Sequence, residues 1–193
     1  MGRLIVEQVV TADGYAADRE GGLDFFDALV QTGEDGAVQL NDAQQLAYVS
    51  QADAILFGTT TYRMFADYWP GVDPAVEQVA ELIDRLPKFV VSNTLAEAPW
   101  GEADRVEILT GDGAEQTAAL KQRFDTIIVW GSLTLTDALF AAGLVDELHL
   151  RLVPVLLGEG RSFTPGELAD RGLRLEKVAS RPGGVVSLRY NFS

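Results

Sequence analysis

Residues 127–140 read IIVWGSLTLTDALF. Ile127, Ile128, Val129 and Trp130 make an apolar run too short for a buried helix, and the run stops at Gly131. Straight afterwards Leu135, Ala138, Leu139 and Ala142 fall at i, i+3, i+4 and i+7, one apolar face of a helix. A buried strand that turns directly into a helix is the repeating unit of an α/β fold. Gly131 and Ser132 form the turn. Either they serve packing and capping alone, or their small size leaves room for the phosphates of a ligand.

The same alternation extends outward on both sides. Residues 54–57 (AILF) form a short apolar strand ending at Gly58, and residues 59–65 suit a helix start that Trp69-Pro70-Gly71 terminates. Pro74 opens a helical stretch running to Leu86, since a first turn accepts proline. Strands over 88–92 and 106–109 follow, then a helix over 114–124, with Gly143 placed to end the helix after the opening stretch. Upstream lie a strand over 3–10, an Asp-Gly turn at Asp13-Gly14, a helix over 24–31 capped by Asp24, and a helix over 42–52 capped by Asn41. Downstream the pattern changes to alternation, Leu148, Leu150 and Leu152 against polar neighbours, then Val186, Leu188, Tyr190 and Phe192. That is a pair of antiparallel strands with one wet face, turned at Pro182-Gly183-Gly184. The expectation is a single α/β domain over 1–193 with a mostly parallel central sheet and C-terminal antiparallel strands.

The net charge is −14, with 15 acids and 3 bases in residues 1–84 against 14 and 12 in the remainder. Such a surface repels phosphate backbones and argues against nucleic acid as a partner. No apolar run is long enough to span a membrane and no signal-peptide pattern is visible, so a cytoplasmic protein is expected. The chain has no cysteine and one histidine, which removes thiolate and histidine-rich metal sites; no metal is expected. His149 lies on the polar side of its strand and reads as a surface or interface residue.

Three strand ends each run into Gly, Ser or Thr: Phe57-Gly58-Thr59-Thr60-Thr61, Val91-Ser92-Asn93-Thr94 and Trp130-Gly131-Ser132-Leu133-Thr134. In open α/β sheets ligands bind at the carboxyl ends of strands, where helix N-termini offer N–H groups to phosphate. Capping explains any one junction as well, and Thr134 with Asp137 has the spacing of a capping pair. The dinucleotide fingerprint is absent, because Gly111-Asp112-Gly113 is followed by Gln116 where a third glycine belongs.

In order and spacing these stretches resemble the dihydrofolate-reductase-like superfamily. Most similar are the stand-alone relatives of the riboflavin-biosynthesis reductase, the RibD C-terminal domain. The resemblance runs nearly end to end. It rests on Thr11-Ala12-Asp13-Gly14-Tyr15, Leu56 to Tyr62, Lys88 to Leu95, Trp130-Gly131-Ser132, Gly143 to Leu148 and Pro154 to Gly160, the last two being the most specific. It implies a three-layer fold with an eight- or nine-stranded sheet, and NADPH lying across the strand ends. It also implies a hydride passed to a pterin-, pyrimidine- or flavin-like heterocycle, and a homodimer. By position, Gly58, Thr59, Thr60 and Thr61 would meet the adenosine and phosphate side, and Ser92 and Asn93 the adenine ribose. Trp130, Gly131, Ser132, Leu133, Thr134 and Leu135 would cradle the pyrophosphate.

Two departures bear on this. Relatives carry arginine after the glycine matching Gly58, where it meets the cofactor's 2′-phosphate; here the residue is Thr59, which brings NADH in as a second candidate. Arg63, Lys88 or another base could substitute. Ser132 replaces a second glycine, and in reductases of this fold that glycine pair is linked by a cis peptide. For proton delivery or substrate orientation the candidate is Asp24, with Phe25 and Phe26 beside it as stacking surfaces and Asp27 as runner-up; N-capping is its bland alternative. A non-catalytic nucleotide-binding or dimerising protein on the same scaffold stays open.

Overall fold

The computed structural model describes residues 1–26, 43–102 and 104–192. The first half contributes β1 (Arg3–Thr11), β2 (Tyr15–Ala17), α1 (Ala43–Val49), β3 (Ala54–Gly58), α2 (Thr59–Tyr68), α3 (Ala80–Arg85) and β4 (Lys88–Val91). Then come β5 (Pro99–Trp100), β6 (Asp104–Arg105), β7 (Glu107–Leu109), α4 (Gly113–Leu120), β8 (Thr126–Trp130) and α5 (Leu133–Ala141). The end supplies β9 (Glu147–Val153), β10 (Arg161–Ser162), β11 (Leu173–Ser180) and β12 (Val186–Phe192).

Eight strands form one sheet in the order β11-β12-β9-β1-β8-β3-β4-β7. Every pair from β9 to β7 is parallel, while β12 runs antiparallel to both β9 and β11. Alternate residues of each strand face opposite sides. One side packs Leu4, Val6, Leu56, Ile127 and Val129 against Leu120 of α4 and Leu135, Leu139 and Phe140 of α5. The other packs Ile5, Ile55, Phe57, Val90, Ile128 and Trp130 against Tyr48 and Val49 of α1, Tyr62 of α2 and Ile83 of α3. The result is the expected three layers.

Gly143 ends α5 as expected, at φ 67°, with its amide on Phe140 O and that of Leu144 on Leu139 O. The stretch after Pro74 differs from its reading. Asp73 captures the amides of Ala75, Val76 and Glu77 in an isolated turn, and the regular helix begins only at Ala80. The helix read as 114–124 stops at Leu120, and Lys121 turns inward with its ammonium on Leu144 O (2.8 Å) and Asp146 Oδ2 (2.5 Å). Asp146 in turn accepts the amide of Leu4 at 2.6 Å, tying the start of β1 to that of β9.

The wet face expected for 147–152 is corrected. His149 is 7% exposed, its ring 4.6 Å from that of Tyr48 on α1, with its Nε2 3.0 Å from Glu147 Oε2. The polar side of β9 is buried because α1 covers it and polar partners satisfy it. Asp27 and Asn41 lie outside the described residues.

Candidate functional site

Two of the three junctions are built into each other. Gly58 ends β3 and Gly131 follows β8, and these strands are sheet neighbours. Gly131 (φ 52°) and Ser132 (φ 56°) both take left-handed conformations, and Ser132 is the one non-glycine residue to do so among the described residues. The bond between them is trans. A left-handed serine costs on the order of 1 kcal/mol, and the surroundings hold it there. The Ser132 amide donates to Thr61 Oγ1 (2.9 Å), its hydroxyl donates to Trp130 O (2.9 Å), and the Ser132 hydroxyl oxygen accepts the Gly58 amide (2.8 Å). Gln8, 2% exposed, donates from Nε2 to Gly131 O at 2.6 Å.

Gly131 is the tighter of the two glycine positions. A Cβ on Gly131 would stand 3.2 Å from Thr61 Oγ1, and one on Gly58 3.4 Å from Ser132 Cβ. The helices that follow, α2 and α5, therefore begin side by side. Neither has a side-chain cap, so their first-turn N–H groups and positive dipole ends are not answered by an acceptor side chain. The capping pair read at Thr134 and Asp137 does not form: Thr134 is exposed, and the Asp137 carboxylate binds the Arg161 guanidinium instead. Burial raises the Asp137 carboxyl above its ordinary range, with Arg161 opposing that rise.

The third junction joins through Thr59, whose hydroxyl reaches Val91 O at 3.4 Å. Ser92 is buried and its hydroxyl accepts the amides of Thr94 (3.2 Å) and Leu95 (3.1 Å). Asn93 exchanges bonds with Gly111, accepting its amide at 2.7 Å. Of the residues singled out in the sequence, Gly58, Thr59, Thr61, Trp130, Gly131 and Ser132 come together, with Ser92 and Asn93 one strand away. Thr60 and Thr134 are exposed beside them, Leu133 is half-buried, and Leu135 is core. The hydroxyls of Thr61, Ser92 and Ser132 already have partners within the fold.

The two candidate bases separate clearly. Lys88 sits at the amino end of β4, away from the junctions; its ammonium lies on Asp84 O (2.7 Å) and Leu86 O (3.0 Å), and 4.7 Å over the Trp100 ring. Arg63 is exposed on α2, one turn beyond Thr59, at the edge of a shallow groove with Tyr62, Asp67 and Pro99.

Asp24 is exposed at the start of a short helical turn. Phe25 is 5% exposed and stacks on Phe26 at 4.6 Å, packed with Val9, Val153 and Val185. The pair thus anchors Asp24 beside the carboxyl ends of β1 and β9, one strand from Gly131, and Phe25 is core instead of an open stacking surface. Asp13 serves its turn. Its carboxylate accepts the Thr11 hydroxyl (2.6 Å) and the amides of Gly158 (2.7 Å) and Leu157 (3.1 Å), so the two stretches Thr11–Tyr15 and Pro154–Gly160 meet through one side chain. The sequence reading missed Glu7 and Gln8. Their signal was present: two polar residues interrupt an otherwise apolar strand.

Residues 3–187 match the RibD C-terminal domain. The chain belongs to the RibD C-terminal domain family. This is a reductase-type family. A similar protein, uncharacterized protein YyaP of Bacillus subtilis (strain 168), is 26% identical over 195 residues, covering 99% of this chain and 95% of YyaP. Among solved structures, a putative riboflavin biosynthesis protein from Shewanella sp. PV-4 superposes with TM-score 0.76 at 22% identity, covering 99% of each chain. Dihydrofolate reductase from Enterococcus faecalis, solved with NADP(H), superposes with TM-score 0.55 at 11% identity over 99% of this chain and 96% of that one. The fold of this RibD C-terminal domain is dihydrofolate-reductase-like. Among the described residues, no helix is long and apolar enough to cross a membrane, and no group of three or more His, Asp or Glu is placed to hold a metal.

Proposed function

We propose that this chain is a nicotinamide-dependent reductase that delivers a hydride to a small, flat pterin-, pyrimidine- or flavin-like heterocycle. The observation that carries the reading is the pair of uncapped helix starts at Gly58 and Ser132, side by side at the carboxyl ends of neighbouring parallel strands. Their free first-turn amides fit the pyrophosphate of NADPH or NADH, which when bound supplies the hydride. Thr59 and Thr60 line that cradle, Arg63 stands where a 2′-phosphate would need a cation, and Asn93 and Ser92 bound the ribose side. Asp24, fixed by the Phe25–Phe26 pair, orients the heterocycle and holds the proton it receives. A second copy of the chain would pair along β11, the sheet's outer strand, where Leu173, Leu175 and Val178 are exposed. The cytoplasm is the compartment this reading expects.

The test is titration of NADPH and NADH against tryptophan fluorescence, since Trp130 immediately precedes the cradle. Saturable quenching by either cofactor is expected; no response to either at millimolar concentration sinks the reading. With cofactor bound, Asp24→Asn should lower turnover about 100-fold and leave cofactor affinity unchanged. Equal loss of both would remove Asp24 from the reaction. A second reading, cofactor binding without catalysis, draws on the Thr61, Ser92 and Ser132 hydroxyls being spent inside the fold. It predicts saturable binding with no oxidation of NADPH in the presence of any heterocycle of these three kinds.

A further inference from the structure

One row of side chains crosses the face of the sheet beneath α1. Trp130, Glu7, His149, Arg189 and Lys177 are lateral partners on β8, β1, β9, β12 and β11. The next row carries Val9, Arg151, Ser187 and Ala179. Between these rows and α1 lies a cavity of about 50 Å³, lined by Glu7, Tyr48, Arg151, Lys177, Arg181 and Arg189, with Ser187 and His149 among its other walls. That volume holds a few waters or one carboxylate- or phosphate-sized group.

The charge of the lining runs against the rest of the molecule. In a chain of net charge −14, four cationic side chains meet here, with Glu7 as the one carboxylate among the described residues of the lining. Glu7 is already answered: it is 3% exposed, pairs with Arg151, and accepts Gln45 Nε2 at 3.1 and 3.2 Å. Glu147, at the start of β9, binds His149 (3.0 Å) and Arg3 (2.9 Å). Among the described lining residues, Lys177 and Arg189 add positive charge that Glu7 does not answer.

Two hydroxyls supply an independent pointer to a ligand. Tyr48 Oη and Ser187 Oγ are buried and have no hydrogen-bond partner among the described residues. Tyr48 is 6% exposed, and the Arg189 guanidinium lies 5.8 Å over its ring. Burial first, and then the Glu7 carboxylate, pushes the Tyr48 phenol well above its ordinary value, so it stays a donor. Leaving a buried hydroxyl unpaired costs on the order of 1–3 kcal/mol, and an acceptor between cations and hydroxyls removes that cost.

We propose that this cavity binds a small oxyanion, a phosphate or carboxylate group, held by Tyr48 Oη and Ser187 Oγ and by the cations of β11 and β12. The site is distinct from the strand-end cradle and does not rest on the reductase reading. An oxyanion free in solution and one carried on a larger ligand present the same chemistry to it.

The test is isothermal titration of the full-length protein with inorganic phosphate and with acetate, against chloride at matched ionic strength and pH. Saturable binding of phosphate or acetate is expected, and which of the two binds tighter identifies the preferred group. Tyr48→Phe, which removes one hydroxyl and keeps the ring, should weaken binding roughly tenfold or more; Ser187→Ala and Lys177→Gln should weaken it also, each with an unchanged folded-state spectrum. Absence of saturable binding by both anions and by a nucleotide-carried phosphate, or binding that all three variants leave intact, overturns the proposal. Saturable binding only when the phosphate is carried on a nucleotide, with loss in Tyr48→Phe, places the anion on a larger ligand.

Discussion

The Ser132 hydroxyl accepts the amide of Gly58 at 2.8 Å, so the turn after β8 fastens the end of β3. Because the same oxygen donates to Trp130 O, one serine closes both strand ends while standing in a left-handed conformation. Ser132→Ala should destabilise the protein by about 1–3 kcal/mol, through two lost buried bonds. Ser132→Gly loses the same bonds but relieves about 1 kcal/mol of backbone strain, so it should be the milder change. Urea midpoints of the three proteins check the order; a glycine variant less stable than the alanine variant would show that strain is not stored there.

In the proposed cofactor cradle Thr59 is neutral, and Arg63 is the exposed base one turn away. Thr59→Arg should tighten NADPH about tenfold, the value of a charge-assisted bond to phosphate, and leave NADH unchanged. Arg63→Gln should do the reverse, weakening NADPH alone. Competitive titrations of both cofactors separate the two; equal effects on NADH would move Arg63 away from the 2′-phosphate.

Lys121 and Asp146 form an asymmetric pair, with side chains 2% and 46% exposed. Removing the acid strands a buried ammonium, whereas removing the base leaves a carboxylate that water reaches. Asp146→Ala should therefore cost on the order of 3 kcal/mol, and Lys121→Met distinctly less. Chemical denaturation of the two single variants and the double variant tests this, and equal single costs would contradict it.

Asp13 gives a pH signature. Its carboxyl is held below the ordinary 3.8 by the Thr11 hydroxyl and then by the Gly158 amide. A depressed folded value means that the stabilisation is complete above 3.8 and is lost as pH falls through the lower, folded value. Asp13→Asn should be less stable than the parent at neutral pH, and the gap should close in acid. Thermal melts across that range measure it; a gap constant with pH would mean the carboxylate's charge is irrelevant.

How much was legible follows from where each partner lies. Ile127 to Trp130 and the Leu135–Leu139 stripe were readable because periods of 2 and 3.6 are local signals. The sheet's parallel core and its antiparallel end followed from them. Glu7 was not readable as a paired residue, since Arg151 lies 144 positions away. The same distance hid the basic side chains: bases scarce in the N-terminal half are supplied to its face by β9, β11 and β12. The alternation of Leu173 and Leu175 with Arg174 and Glu176 is short, and the register shift between Leu175 and Lys177 breaks it before Val178, so β11 left only a weak signal. At the junctions the Gly, Ser and Thr residues were legible as strand ends turning into loops or helices, but only coordinates reveal that Ser132, Thr61 and Ser92 spend their hydroxyls on the fold itself.

The place of β1 in the sheet has a consequence for how the chain is made. Its two neighbours, β8 and β9, come from residues 126–130 and 147–153. A nascent chain that has released everything before Thr126 holds its most central strand with both edges open. High sequence separation between paired strands slows folding, and open apolar edges invite pairing with another copy. Synthesis at roughly 5–20 residues per second thus sets a window of seconds in which β1 waits for its neighbours.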